Sequence, residues 1–145
     1  MIRLTFTGDI LIEPEQKEAI CSHSDGFDTI FRNILSSFSL SNYIIGNLET
    51  PLAGEELVYS SHKWSFNTPD CLAESLKKAG FNLLTTANNH CLDRGKIGLL
   101  NTLKTLDRYG LEHIGTYAQK SDKEKIFIKD IGGLRFAFLS YTYGT

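Results

Sequence analysis

Three short β-favouring runs each break into polar residues, and a helical pattern follows each one. Residues 2–7 alternate apolar and polar and end at Gly8-Asp9. Tyr43-Ile44-Ile45 ends at Gly46-Asn47-Leu48-Glu49. Residues 81–86 run into Ala87-Asn88-Asn89-His90-Cys91-Leu92-Asp93-Arg94-Gly95. Strands alternating with helices imply an α/β fold, with parallel strands and right-handed crossovers. Ligands of such sheets sit beyond the carboxyl ends of the strands. Parallel strands would therefore bring Asp9, Glu49 and Asn88-Asn89-His90 to one edge.

The helices are read from spacing. Phe27, Ile30, Phe31, Ile34, Leu35 and Phe38 share one face of a single amphipathic helix. Thr68 is a good N-cap with Pro69 at the first helical position. Leu72, Ala73, Leu76 and Ala79 form its buried stripe, and Gly80 stops it. Ile97, Leu99, Leu100, Leu103 and Leu106 mark the next helix, with Gly110 as its stop. Asp93 is its N-cap candidate, with a ligand role as the alternative. Residues 10–24 read as loop with at most a helical turn, and 51–62 as loop. Residues 63–67 suggest an edge strand and 111–115 a short one, whereas 117–125 are polar and exposed. Residues 125–131 and 134–141, joined by Gly132-Gly133, read as a hairpin.

Composition excludes several classes. The 145 residues are enough for one domain, 41% hydrophobic and 22% charged. A net charge of −2 offers no nucleic-acid surface. No apolar run is long enough for a membrane span. No signal peptide is visible, so a cytoplasmic location is the default; a removed leader would make it extracytoplasmic. Cys21, Cys71 and Cys91 form neither a CxxC zinc pattern nor a disulfide framework, and read as reduced and structural. No G-x-G-x-x-G follows a strand, which removes a dinucleotide site.

The strand-end residues have a chemistry in common. Two carboxylates, a carboxamide and an imidazole suit Mn²⁺, Fe²⁺, Zn²⁺ or Mg²⁺. Two such ions would activate a bridging water and hold a phosphate-like group. His90 beside them suits a proton donor. Lys63 and Arg94 either meet an anionic substrate or are solvated charges. His23, His62 and His113 have no partner pattern and read as surface or core residues. Tyr141-Thr142-Tyr143-Gly144 is structural, or lines the same edge.

Gly8-Asp9, the Gly46–Leu52 segment (46–52) and the 87–95 segment together resemble the signature series of the bacterial capsule-synthesis CapA-like family. The 132–144 segment resembles that family's hairpin strand. The family is associated with poly-gamma-glutamate capsule synthesis and is similar to calcineurin-like metallophosphoesterases. The resemblance implies a layered sandwich of mostly parallel sheet with flanking helices around a two-metal site. It makes Asp9 the first metal-binding aspartate, Asn89 an asparagine ligand and His90 the catalytic histidine. Asn47 stands where that superfamily has a bridging Asp, so Glu49 becomes the ligand candidate. Asp9-Ile10-Leu11 lacks the histidine of the superfamily's Asp-x-His start. No histidine follows His113, whereas the superfamily takes further histidine ligands from its C-terminal half. Residues 1–145 then resemble the N-terminal portion of a single domain, with weak or absent metal binding alone. Self-association through an uncovered sheet edge is a further expectation. Two functions follow: a metal-dependent hydrolase acting on an anionic small molecule or polymer, or a non-catalytic component that holds an acidic polymer during assembly.

Overall fold

A computed structural model describes residues 1–61 and 64–143. Four parallel strands form the central sheet in the order β1 (Leu4–Ile10), β2 (Tyr43–Leu48), β3 (Leu83–Thr85), β4 (Glu112–Ile114). β5 (Phe127–Ile131) and β6 (Leu134–Phe138) make a separate antiparallel hairpin. The helices are α1 (Pro14–Cys21), α2 (Asp28–Phe31), α3 (Leu35–Phe38), α4 (Cys71–Ala79) and α5 (Gly95–Arg108).

The central strands β2 and β3 are buried on both faces, the usual state of parallel strands, whereas the edge strand β1 leaves Phe6 exposed. Ile44 and Leu84 point into a core built with Phe31, Phe38, Leu72, Leu76 and Leu106. Their neighbours Tyr43, Ile45 and Leu83 point the other way, onto Ile131, Phe127 and Phe138 of the hairpin. The layers are therefore helices, parallel sheet and hairpin. This α/β sandwich is the expected fold class and is consistent with a calcineurin-like domain.

Local chemistry sets the boundaries. Gly80 closes α4 in the left-handed region at φ 101°, and its N–H reaches Leu76 O and Lys77 O. β2 continues through Gly46 to Leu48, past the expected break at Ile45. A Cβ on Gly46 would lie 2.7 Å from Ile10 Cδ1 and 2.8 Å from Phe81 Cε1, so this strand position has room only for glycine.

Five local expectations are corrected. The 27–38 helix is broken into α2, a 3₁₀ turn at Arg32–Ile34 and α3. Only Phe27, Phe31 and Phe38 of its apolar face are buried, and the aromatic rings wedge against Phe81 at 5.7 and 5.3 Å. Residues 14–21 form α1 rather than loop, with Pro14 at its start and Gln16 Oε1 accepting from Glu13 N at 3.0 Å. This helix buries no residue, so it carries no apolar stripe to read. α4 starts at Cys71 with Asp70 as cap, because the Thr68 hydroxyl is used on Thr50 Oγ1 at 2.7 Å. Residues 64–67 contain no strand, only a single bridge at Ser65, while Lys63 and His62 lie outside the described residues. Arg94, not Asp93, occupies the N-cap of α5.

Candidate functional site

The site begins with a fault in strand pairing. Phe6 pairs with Ile45, but the next matched pair is Asp9 with Asn47. β1 thus carries one extra residue, a β-bulge of the kind that re-aims side chains. The bulge sets Asp9 beside Asn47, and Asn47 in turn aligns with Thr85 on β3. One polar row crosses three strands at the carboxyl edge. Asn47 Nδ2 donates to Asp9 Oδ1 at 2.8 Å. Thr85 Oγ1 donates to Asn47 Oδ1 at 3.1 Å.

Asn88 completes that row from the turn after β3. Its buried amide donates to Asn47 Oδ1 at 3.3 Å and to Leu48 O at 2.9 Å. Its Oδ1 accepts from His90 N at 3.1 Å, which fixes the turn that presents His90. Asn89 lies exposed between them.

His90 is gripped on three sides. Nδ1 lies 2.9 Å from Asp93 Oδ2. A carboxylate only accepts, so the ring proton of this contact sits on Nδ1. Nε2 is thereby left facing Glu49, whose Oε1 is 4.0 Å away. Phe66 packs edge-on against the imidazole at 4.7 Å. Asp93 Oδ2 also accepts from Phe66 N at 2.7 Å, so one oxygen ties the ring to its aromatic support.

The support is a built loop. Asn67 is fully buried; its Oδ1 accepts from Ala53 N and its Nδ2 donates to Gly54 O and Val58 O. Arg94 Nε donates to Leu57 O and Val58 O at 3.1 and 3.2 Å, and its guanidinium also bonds Ser65. Arg94 is thus neither a solvated charge nor a free anion receptor. It clamps the loop that carries Phe66.

Asp9 and Glu49 meet at this edge. Burial is the first cause that pushes the Glu49 carboxyl above its ordinary range. The Asp9 carboxylate and a hydrogen bond with it push the same way, and His90 opposes them. Glu49 is largely buried and Asp9 exposed, and two carboxyls in contact favour holding a proton or a cation between them. Their oxygens are hard donors of the kind that Mg²⁺ and Mn²⁺ take. Among the described residues, no group of three or more His, Cys, Asp or Glu side chains is arranged to hold an ion.

The structure brings together Asp9, Glu49 and His90 as the sequence suggested. Asn47, Asn88 and Asp93, already present in the strand-end motifs, connect them through hydrogen bonds. Asp93 had a readable signal, since it stands three residues after His90 and reaches it as an i, i+3 pair. Two other histidines have partners: His113 Nε2 lies 3.1 Å from Asp107 Oδ1, and His23 Nδ1 accepts from Asp25 N at 3.2 Å. Ser140, Tyr141 and Thr142 line a separate groove of about 750 Å³ between β4 and the hairpin.

The fold and this edge define a layered α/β domain with an acid, amide and imidazole cluster beyond a parallel sheet. Residues 3–145 match the family model described as "Bacterial capsule synthesis protein PGA_cap". The chain belongs to that family. It is 28% identical over 144 residues to the capsule biosynthesis protein CapA of Bacillus anthracis, covering 97% of this chain and 34% of the relative. It is 28% identical to the PGA biosynthesis protein CapA of Bacillus subtilis (strain 168), covering 98% and 37%. The chain spans about a third of the length of these curated relatives. No described helix is long and apolar enough to cross a membrane.

Proposed function

We propose that this edge is a metal-assisted hydrolytic site in a protein of capsule-polymer synthesis. The observation that carries the reading is the Asp9–Glu49 pair. Burial and a facing carboxylate raise the Glu49 pKa, a costly arrangement unless a cation or proton is shared. Asp9, Glu49 and the exposed Asn89 would supply oxygen donors to Mn²⁺, Fe²⁺, Zn²⁺ or Mg²⁺. A metal bound there would lower the pKa of a water and neutralise an anionic group.

His90 is the proton donor of this reading in its imidazolium form, in which Nε2 as well as Nδ1 carries a proton and the Nε2 proton passes to the leaving group. Its Nδ1 is committed to Asp93, which orients the ring and leaves Nε2 toward the carboxylates. The bond attacked is a phosphoester or a related amide or peptide-like bond in an anionic small molecule or polymer. The polymer reading draws on the names of the relatives, which specify capsule and PGA biosynthesis.

Mn²⁺ titration followed by electron paramagnetic resonance of the free ion tests the ligands. Residues 1–145 should bind weakly, and Asp9→Asn or Glu49→Gln should weaken binding at least about tenfold. Unchanged affinity in both variants, or tight binding of two ions by this chain, defeats the assignment. In a protein carrying this domain, His90→Gln should keep the metal and abolish hydrolysis of a chromogenic phosphodiester or of a γ-linked glutamyl oligomer. Absence of turnover in the unaltered protein, with the acidic oligomer still bound, assigns the cleft to the accessory role instead.

A further inference from the structure

The loop between β2 and α4 carries an exposed indole close to His90. Trp64 is the one tryptophan of the sequence, and it is 76% exposed. Exposure alone would mean little, since single apolar side chains are common on protein surfaces. The mounting sets this one apart.

Both limbs of the loop are fixed. Ser60 N donates to Asn67 O at 3.0 Å, and Asn67 N donates to Ser60 Oγ at 2.6 Å. The Arg94 guanidinium spans the limbs, bonding Leu57 O and Val58 O on one and Ser65 on the other. Asn67 Nδ2 adds a second donor to Val58 O at 3.1 Å. Val58 is held there at φ 57°, an angle that a β-branched residue keeps only where its surroundings over-determine it.

Trp64 leads directly into the contacts that hold His90. Ser65 follows it and is bonded by Arg94. Phe66 comes next, edge-on to the imidazole at 4.7 Å, with its N–H on Asp93. Two residues span at most about 7 Å, so the indole is rooted within that reach of the Phe66 backbone. A rigidly mounted aromatic side chain offers a large contact area at little entropic cost.

Charge favours a contact of this kind. The chain carries −2, and the near edge presents Asp9 and Glu49. Arg94 is committed to loop carbonyls. Between its carboxylates, an acidic polymer has methylenes and amide planes that stack on an indole face without an ion pair.

We propose that Trp64 is a platform for the acidic polymer, its indole stacked on the methylene and amide units of the chain beside His90. This rests on the reading that the cleft takes such a polymer, and adds a binding residue to it.

Because the indole is single, its fluorescence reports this position alone when excitation spares tyrosine. A γ-linked glutamyl oligomer titrated into the chain should shift the emission to shorter wavelength and lower acrylamide quenching, in metal-free and in Mn²⁺ buffer alike. Calorimetry should show Trp64→Ala binding the oligomer about tenfold more weakly, and Trp64→Phe within about threefold of wild type. Neither variant should change the Tm or the Mn²⁺ affinity, since the side chain is exposed. Oligomer binding with unchanged emission, wild-type affinity in Trp64→Ala, or no oligomer binding in either buffer overturns the proposal. The metal assignment stands or falls separately, on the Mn²⁺ affinities of Asp9→Asn and Glu49→Gln.

Discussion

Removing the Asp93 carboxylate should cost more than its single side chain suggests, because one oxygen serves two partners. Oδ2 accepts from Phe66 N at 2.7 Å and lies 2.9 Å from His90 Nδ1. The Asp93 side chain is 13% exposed, His90 16%, and Phe66 as a residue 2%. Water therefore has little access to the Phe66 amide once its acceptor is gone. A hydrogen bond to a carboxylate contributes about 1.5–3 kcal/mol, and an orphaned buried amide costs about 1–3 kcal/mol. The two overlap, so Asp93→Ala should destabilise by about 2–4 kcal/mol. With a urea slope near 2 kcal/mol/M, the midpoint falls by about 1–2 M. Asp93→Asn keeps an oxygen for Phe66 and should lose about 1 kcal/mol. Urea unfolding at fixed slope measures both, and ¹⁵N-detected histidine shifts report whether His90 keeps its proton on Nδ1. An alanine midpoint within about 0.3 M of wild type, or an asparagine variant as damaged as alanine, would refute the shared-oxygen argument.

Two further outcomes follow from the same edge and its strand. Burial and Asp9 raise the folded-state pKa of Glu49, so the native chain holds that proton more tightly than the unfolded chain. This contribution is complete below the ordinary Glu range and is lost as pH rises through the raised value. In metal-free buffer, the stability of Glu49→Gln relative to wild type should therefore increase from about pH 4 to pH 7; urea midpoints that stay parallel across that range would contradict it. Gly46→Ala should destabilise by about 1–3 kcal/mol, because its Cβ would press on Ile10 and Phe81. Thermal melts check this, and a neutral or raised Tm would show that the strand yields.

Much of the architecture was legible because strands and helices announce themselves by period. Residues 2–7, 43–45, 81–86 and 111–115 marked all four parallel strands, and Gly80 marked the end of α4. The capsule-synthesis family was legible too, from three motifs that local order alone preserves. What period could not show was α1, which buries nothing, or the break in the 27–38 helix, where ring packing against Phe81 overrides a regular stripe. Asp9, Glu49 and His90 could be assigned to one edge from sequence, since parallel strands put their carboxyl ends together. Only the tertiary structure decided how they connect. The bulge in β1 aligns Asp9 with Asn47, Asn88 rather than Asn89 joins that row, and Asp93 turns from helix cap into the partner of His90. Each depends on registers and turns between segments distant in the chain. A one-residue shift in pairing redirects every side chain that follows, and no local pattern records it.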